Sequence, residues 1–97
     1  MTQQFDSDDG PYFAWLRANP TGYVLNVERS PRPAYMVLHR AECPHISRIV
    51  APGRAGGFTE RDYIKICSPT LAALSAWVKQ HGRPSGSFSK RCARCSP

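Results

Sequence analysis

Ninety-seven residues, 41% of them hydrophobic, with a net charge of +6, make one small domain. A chain of this length buries only about 60–65% of its unfolded surface, so its core is marginal and a staple such as a metal or disulfide is expected. No apolar run approaches the ~18 residues of a membrane span. The polar, acidic stretch from Thr2 to Gly10 has neither the basic nor the apolar region of a secretory leader. A soluble, cytoplasmic chain is therefore expected. Its thiols are kept reduced there, so the four cysteines read as metal ligands rather than disulfides.

Charge is uneven along the chain. Asp6, Asp8 and Asp9 stand in the first ten residues, and the only later acids are Glu28, Glu42, Glu60 and Asp62, against 13 lysines and arginines. That balance, with a pI near 9.6, fits a polyanion as partner. The alternative is surface charge that serves solubility.

Residues 1–10 read as a disordered acidic tail, and residues 11–97 as a single zinc-binding domain. Pro11 opens a short helical stretch through Ala18, with Tyr12 or Phe13, Trp15 and Leu16 as its apolar face. Asn19-Pro20-Thr21-Gly22 ends it in a turn. Tyr23–Val27 and Tyr35–His39 read as strands rich in β-branched and aromatic residues, joined by a proline-rich link in what is most simply a hairpin. Pro44–Ser47 suits a helical turn, and Pro52–Gly57 a flexible loop. Asp62–Cys67 reads as a third strand. The clearest helix follows: Ser68 can cap it, Pro69 suits its first turn, Gly82 its exit, and Leu71, Leu74, Trp77 and Val78 share one face. The fold class expected is α+β: a three-stranded antiparallel meander, a short N-terminal helix and one main C-terminal helix.

Two local pairs carry chemistry. Cys92 and Cys95 form a C-x-x-C chelate, the spacing of zinc knuckles, in which a tight turn aims both sulfurs at one point. His39 and Cys43 form an H-x3-C pair at the end of a strand. Together they supply the four donors of a closed tetrahedral zinc site. In a meander, Cys67 would lie at the opposite end of the sheet. A helix about 18 Å long, running back along the sheet, would return the tail to His39 and Cys43. Cys67 in place of His39 gives an all-cysteine alternative, His45 is a weaker competitor, and His81 suits a helix end. Trp15 and Trp77 read as core. Arg40, Lys79, Arg83, Lys90, Arg91 and Arg94 lie in or near the proposed zinc end, where clustering would make a phosphate-binding edge.

The order of these features resembles the zinc-binding domain of the Ada DNA-repair regulator and the Ada-like metal-binding modules attached to some nucleases. The match runs over about residues 35–97: Leu38-His39-x3-Cys43, a strand at 62–67, a helix at 69–81, then Cys92-x2-Cys95-Ser96-Pro97. The resemblance implies zinc ligation by His39, Cys43, Cys92 and Cys95, and DNA as partner. In the Ada protein the first ligand is a cysteine that accepts a methyl group from DNA phosphotriesters. His39 stands there in this chain and cannot act as that thiolate, so a binding module without methyl transfer is expected. The segment between Cys43 and the third strand is longer than usual, and residues 1–34 have no counterpart in the pattern.

The function expected is a zinc-stabilised nucleic-acid-binding module, with double-stranded DNA as its partner. The alternative is a structural zinc module whose partner is another protein. An enzyme is not expected, because four protein ligands leave zinc no open position and no nucleophile with a base partner is evident.

Overall fold

A computed structural model describes residues 2–47, 58–59 and 62–97. Strand β2 (Tyr23–Glu28) is the centre of its sheet. Val24, Leu25 and Val27 are all fully buried, so this strand is apolar on both faces, as a strand covered on both sides must be. β3 (Met36–Arg40) and β4 (Tyr63–Ser68) flank it, both antiparallel. Outside β4 lies β1 (Gln3–Phe5), antiparallel, and outside β3 lies β5 (Lys90–Arg91), parallel. The strand order is β1-β4-β2-β3-β5.

Side-chain alternation divides the core in two. On one face, Val24 and Cys67 pack with Tyr12, Trp15 and Leu16 of helix α1 (Asp9–Ala18) and with Ile46 of the single-turn α2 (Pro44–Ser47). On the other, Leu25, Leu38 and Ile66 pack with Leu74, Trp77 and Val78 of α3 (Leu71–Gln80). Asp8 caps α1, its side chain accepting from the Gly10 N–H, and Thr70 caps α3 through the Ala73 N–H.

This architecture corrects several expectations. Among the described residues the sheet has five strands and is mixed, not three-stranded and antiparallel. Residues 3–5, expected within a disordered tail, form β1, and Asp9 is buried, accepting from the Thr59 N–H (2.8 Å) and hydroxyl (2.6 Å). The meander also fails. β4 pairs with β2 rather than β3, so His39 and Cys67 both stand opposite Val24, at the same end of the sheet. The first helix begins at Asp9, two residues before the Pro11 expected to open it, and the cap of α3 is Thr70 rather than Ser68. The loop expected at Pro52–Gly57 lies outside the described residues.

Tyr12 ties the α1 layer together. It is fully buried, and its hydroxyl donates to the Ile46 carbonyl, joining α1 to α2. Burial pushes its phenol well above the usual range, with the neighbouring Cys67, Asp9 and Cys43 adding to the effect. Tyr12→Phe leaves that carbonyl without its donor, at an expected cost of about 1–2 kcal/mol. Urea unfolding measures it; an unchanged midpoint would show that the bond contributes nothing.

Candidate metal centre

β3 delivers His39 one residue before the strand ends at Arg40. A turn follows, closed by the Cys43 N–H on the Arg40 carbonyl (3.0 Å), and it points Cys43 back beside the strand at the start of α2. The other pair arrives by β5. Ser89 N–H bonds the Met36 carbonyl (3.0 Å), Met36 N–H bonds the Ser89 hydroxyl (2.7 Å), and Cys92 N–H bonds the Leu38 carbonyl (2.9 Å). Because β5 runs parallel to β3, its continuation travels toward the end where His39 lies. The knuckle then turns through Ser96, at φ 47°, with the Ser96 N–H on the Cys92 carbonyl (3.0 Å).

The route to this meeting differs from the one expected. α3 carries the chain away from the His39 end: after it, Gly82 packs against Pro33 and Arg83 donates to the Pro33 carbonyl (2.7 Å), before the first residue of β3. It is β5, not the helix, that brings the tail back.

The donor atoms of His39, Cys43, Cys92 and Cys95 all lie within 4.8 Å of one another. Cys43 Sγ and Cys92 Sγ are 3.8 Å apart. Two sulfurs bound at the ~2.3 Å of a zinc–thiolate bond, at the tetrahedral angle, are separated by about 3.8 Å. His39 is only 6% exposed, and its Nδ1 is buried with no hydrogen-bond partner among the described residues. An imidazole so placed costs free energy unless something satisfies it. The donor set therefore fits a metal ion.

Electrostatics at the four residues differ. Burial, followed by the nearby Lys65 and His45, pulls His39 down to about 4, so its ring is neutral and able to ligate at neutral pH. Burial pushes the Cys43 thiol up to about 12. For Cys92 burial acts in the same direction, but the backbone amides of Cys95 and Arg94, with the Cys43 and Cys95 thiols, outweigh it and leave the group below its usual value. The knuckle thus aims N–H groups at sulfur, the arrangement a thiolate requires.

Cys67 stays out of the cluster for a reason other than the one expected. It lies at the same end of the sheet as His39, but β2 separates them, and its thiol is fully buried in the core beside Val24 and Tyr12. His45 borders the cluster, its Nδ1 3.8 Å from Cys92 Sγ. His81 stacks on Trp77, with ring centroids 3.7 Å apart, and takes no part.

The six cations expected at one edge are divided. Arg40 clamps the knuckle: its backbone N–H donates to Cys95 Sγ (3.2 Å), and its guanidinium to the Cys95 (2.9 Å) and Ser96 (3.0 Å) carbonyls. Arg91 donates to the Pro97 carbonyl (3.1 Å) and lies over the Phe88 ring. Arg83 holds the Pro33 and Ser87 carbonyls and, with Lys79 near the end of α3, lies away from the metal cluster. Lys90 and Arg94 remain exposed beside the cluster. They border a cleft of about 400 Å³ that His39 and Cys92 also line.

Comparisons with protein-family models, curated proteins and solved structures find no match. The likeness to the Ada domain therefore rests only on the order and spacing of features within this chain. The cleft was missed in the sequence. Its signal was the alternation of Tyr35, Val37 and His39, which turns all three to one side of β3.

Proposed function

We propose that this chain is a small zinc-stabilised nucleic-acid-binding module that acts on DNA in the reducing cytoplasm. The observation that carries the metal half is the convergence of His39, Cys43, Cys92 and Cys95. Three thiolates and an imidazole suit zinc far better than magnesium or calcium, which take oxygen donors. Four protein donors complete the tetrahedron, so the ion holds the fold and performs no hydrolysis. Among the described residues no helix is long and apolar enough to cross a membrane.

The nucleic-acid half rests on the charge of +6 and on where the exposed cations lie. Arg40 and Arg91 hold the knuckle backbone, which leaves Lys90 and Arg94 to present charge to a phosphate backbone. Such contacts supply affinity and salt dependence without base readout.

Anisotropy titration of zinc-loaded protein with a labelled duplex tests this reading. Two phosphate contacts alone predict binding about tenfold weaker at about 200 mM salt than at about 50 mM. Replacing both Lys90 and Arg94 with alanine should flatten that dependence by about two counterions. An affinity indifferent to salt, or unaffected by the double substitution, would overturn the proposal.

A further inference from the structure

The cleft beside the metal centre has a composition of its own. Its floor is the sheet: Val37 and Asn26 face it from neighbouring strands. Ile46 of α2 supplies an apolar wall, and His45, Lys90 and Arg94 supply cationic or proton-accepting groups around the rim. Among the described residues no carboxylate lines it. At about 400 Å³ it falls within the ~300–1,000 Å³ of small-ligand sites. An apolar slot with basic groups at its rim suits a ligand that is flat at one end and anionic at the other.

Two further observations define that ligand. Tyr35 lines the cleft, and its hydroxyl accepts from Asn26 Nδ2 (3.3 Å). Asn26 is itself held by Lys65, whose ammonium donates to its Oδ1 (2.7 Å), so this polar group is fixed in place rather than free to rotate. Beside Tyr35 stands Tyr63, with ring centroids 5.2 Å apart. Tyr63 is 40% exposed and is the one exposed large hydrophobic side chain among the described residues. An aromatic ledge next to a basic slot is the arrangement by which proteins hold unpaired bases, one base stacking while the backbone follows the cations.

We infer that the cleft receives one unpaired nucleotide of a nucleic-acid strand, its base over Val37 and Ile46, its phosphate at Lys90 and Arg94, and the neighbouring base on Tyr63. This rests on the nucleic-acid reading above and narrows it. The metal positions the slot, since His39 and Cys92 form part of its wall, but the ion makes no contact that the inference needs.

The test compares three labelled DNA probes on zinc-loaded protein: a fully paired duplex, the same duplex with a single-nucleotide bulge, and the unpaired strand. The bulged and single-stranded probes are expected to bind about tenfold more tightly than the duplex. Tyr63→Ala, which removes the part-exposed ring beside Tyr35, and Val37→Phe, which fills the slot, should each bring them down to the duplex level. Neither changes charge, so binding to the paired duplex should stay as it is. Metal content and circular dichroism report whether each variant is folded, and Tyr63→Ala decides the matter if Val37→Phe is not. Equal affinity for all three probes, or a preference that survives Tyr63→Ala, overturns the inference while leaving salt-dependent duplex binding intact. Failure to bind any probe removes the nucleic-acid reading and this one together.

Discussion

Cys92→Ser is expected to remove the metal and, with it, most of the tertiary structure. Cys92 sits at the centre of the cluster, 3.8 Å from Cys43 Sγ and anchored by its N–H to the Leu38 carbonyl. Zinc binding to sites of this kind is worth on the order of 10 kcal/mol, and small domains have only about 5–15 kcal/mol of stability in all. His39→Ala should act in the same direction. Cys67→Ala should keep one ion per chain, because that thiol lies in the core beyond β2. Elemental analysis and near-ultraviolet circular dichroism from the buried Trp15 and Trp77 report on both points. A Cys92→Ser chain that retains its ion and its aromatic signal would exclude this metal site.

The second large effect concerns Lys65, which is 3% exposed in the middle of β4. Its ammonium donates to Asn26 Oδ1 (2.7 Å) and to the Phe58 carbonyl (2.8 Å). Burial nevertheless pulls its pKa down to about 8, against a partial rise from Asp9 and Cys67. Below pH 8 both folded and unfolded chains carry the proton, and the cost of burying the charge is fully present. Between pH 8 and the unfolded value near 10.5 the unfolded chain holds a proton that the folded chain has released, so this group's contribution to stability rises with pH. Lys65→Met lacks that contribution. Wild type should therefore gain about 2 kcal/mol relative to Lys65→Met between pH 8 and pH 10, read from denaturant midpoints of metal-loaded protein. Parallel pH profiles for the two proteins would show that Lys65 is not held in a desolvated site. The comparison with Lys65→Met is needed because burial shifts the core thiol of Cys67 upward, which opposes the trend in both proteins.

What could be read from the sequence was chemistry at fixed local spacing. The pairs His39/Cys43 and Cys92/Cys95 were legible because two- and three-residue gaps set ligand geometry whatever the surrounding fold. β2, β3, β4 and α3 were legible because each has its own apolar pattern. Strand order was not, since nothing within β4 states whether it pairs with β2 or with β3. One clue did exist: Val24-Leu25 is apolar on both faces, as befits a strand with neighbours on either side. β1 and β5 left no pattern at all. Gln3-Gln4-Phe5 and Lys90-Arg91 are polar edge segments, three and two residues long, that become strands only because β4 and β3 offer them a ladder. Long-range pairing, rather than propensity, decides such segments. The division of the six cations was hidden for a related reason, because Arg40 and Arg83 are used on carbonyls of distant chain segments.

The brevity of β5 bears on the order of events as the chain folds. Two residues of parallel ladder cannot hold a strand in place by themselves, and the sulfurs they position must meet partners 49 residues away in sequence. Closing so long a loop is slow when no contact rewards it until the end. The local C-x-x-C pair needs no such closure. It can take up an ion while the rest of the chain is open, and the half-filled ion then supplies the attraction that draws Cys43 and His39 onto it. On the zinc reading proposed above, the folding rate should accordingly depend on the concentration of free zinc, with the metal acting as a nucleus that recruits the sheet edge rather than as a rivet added once the sheet is complete.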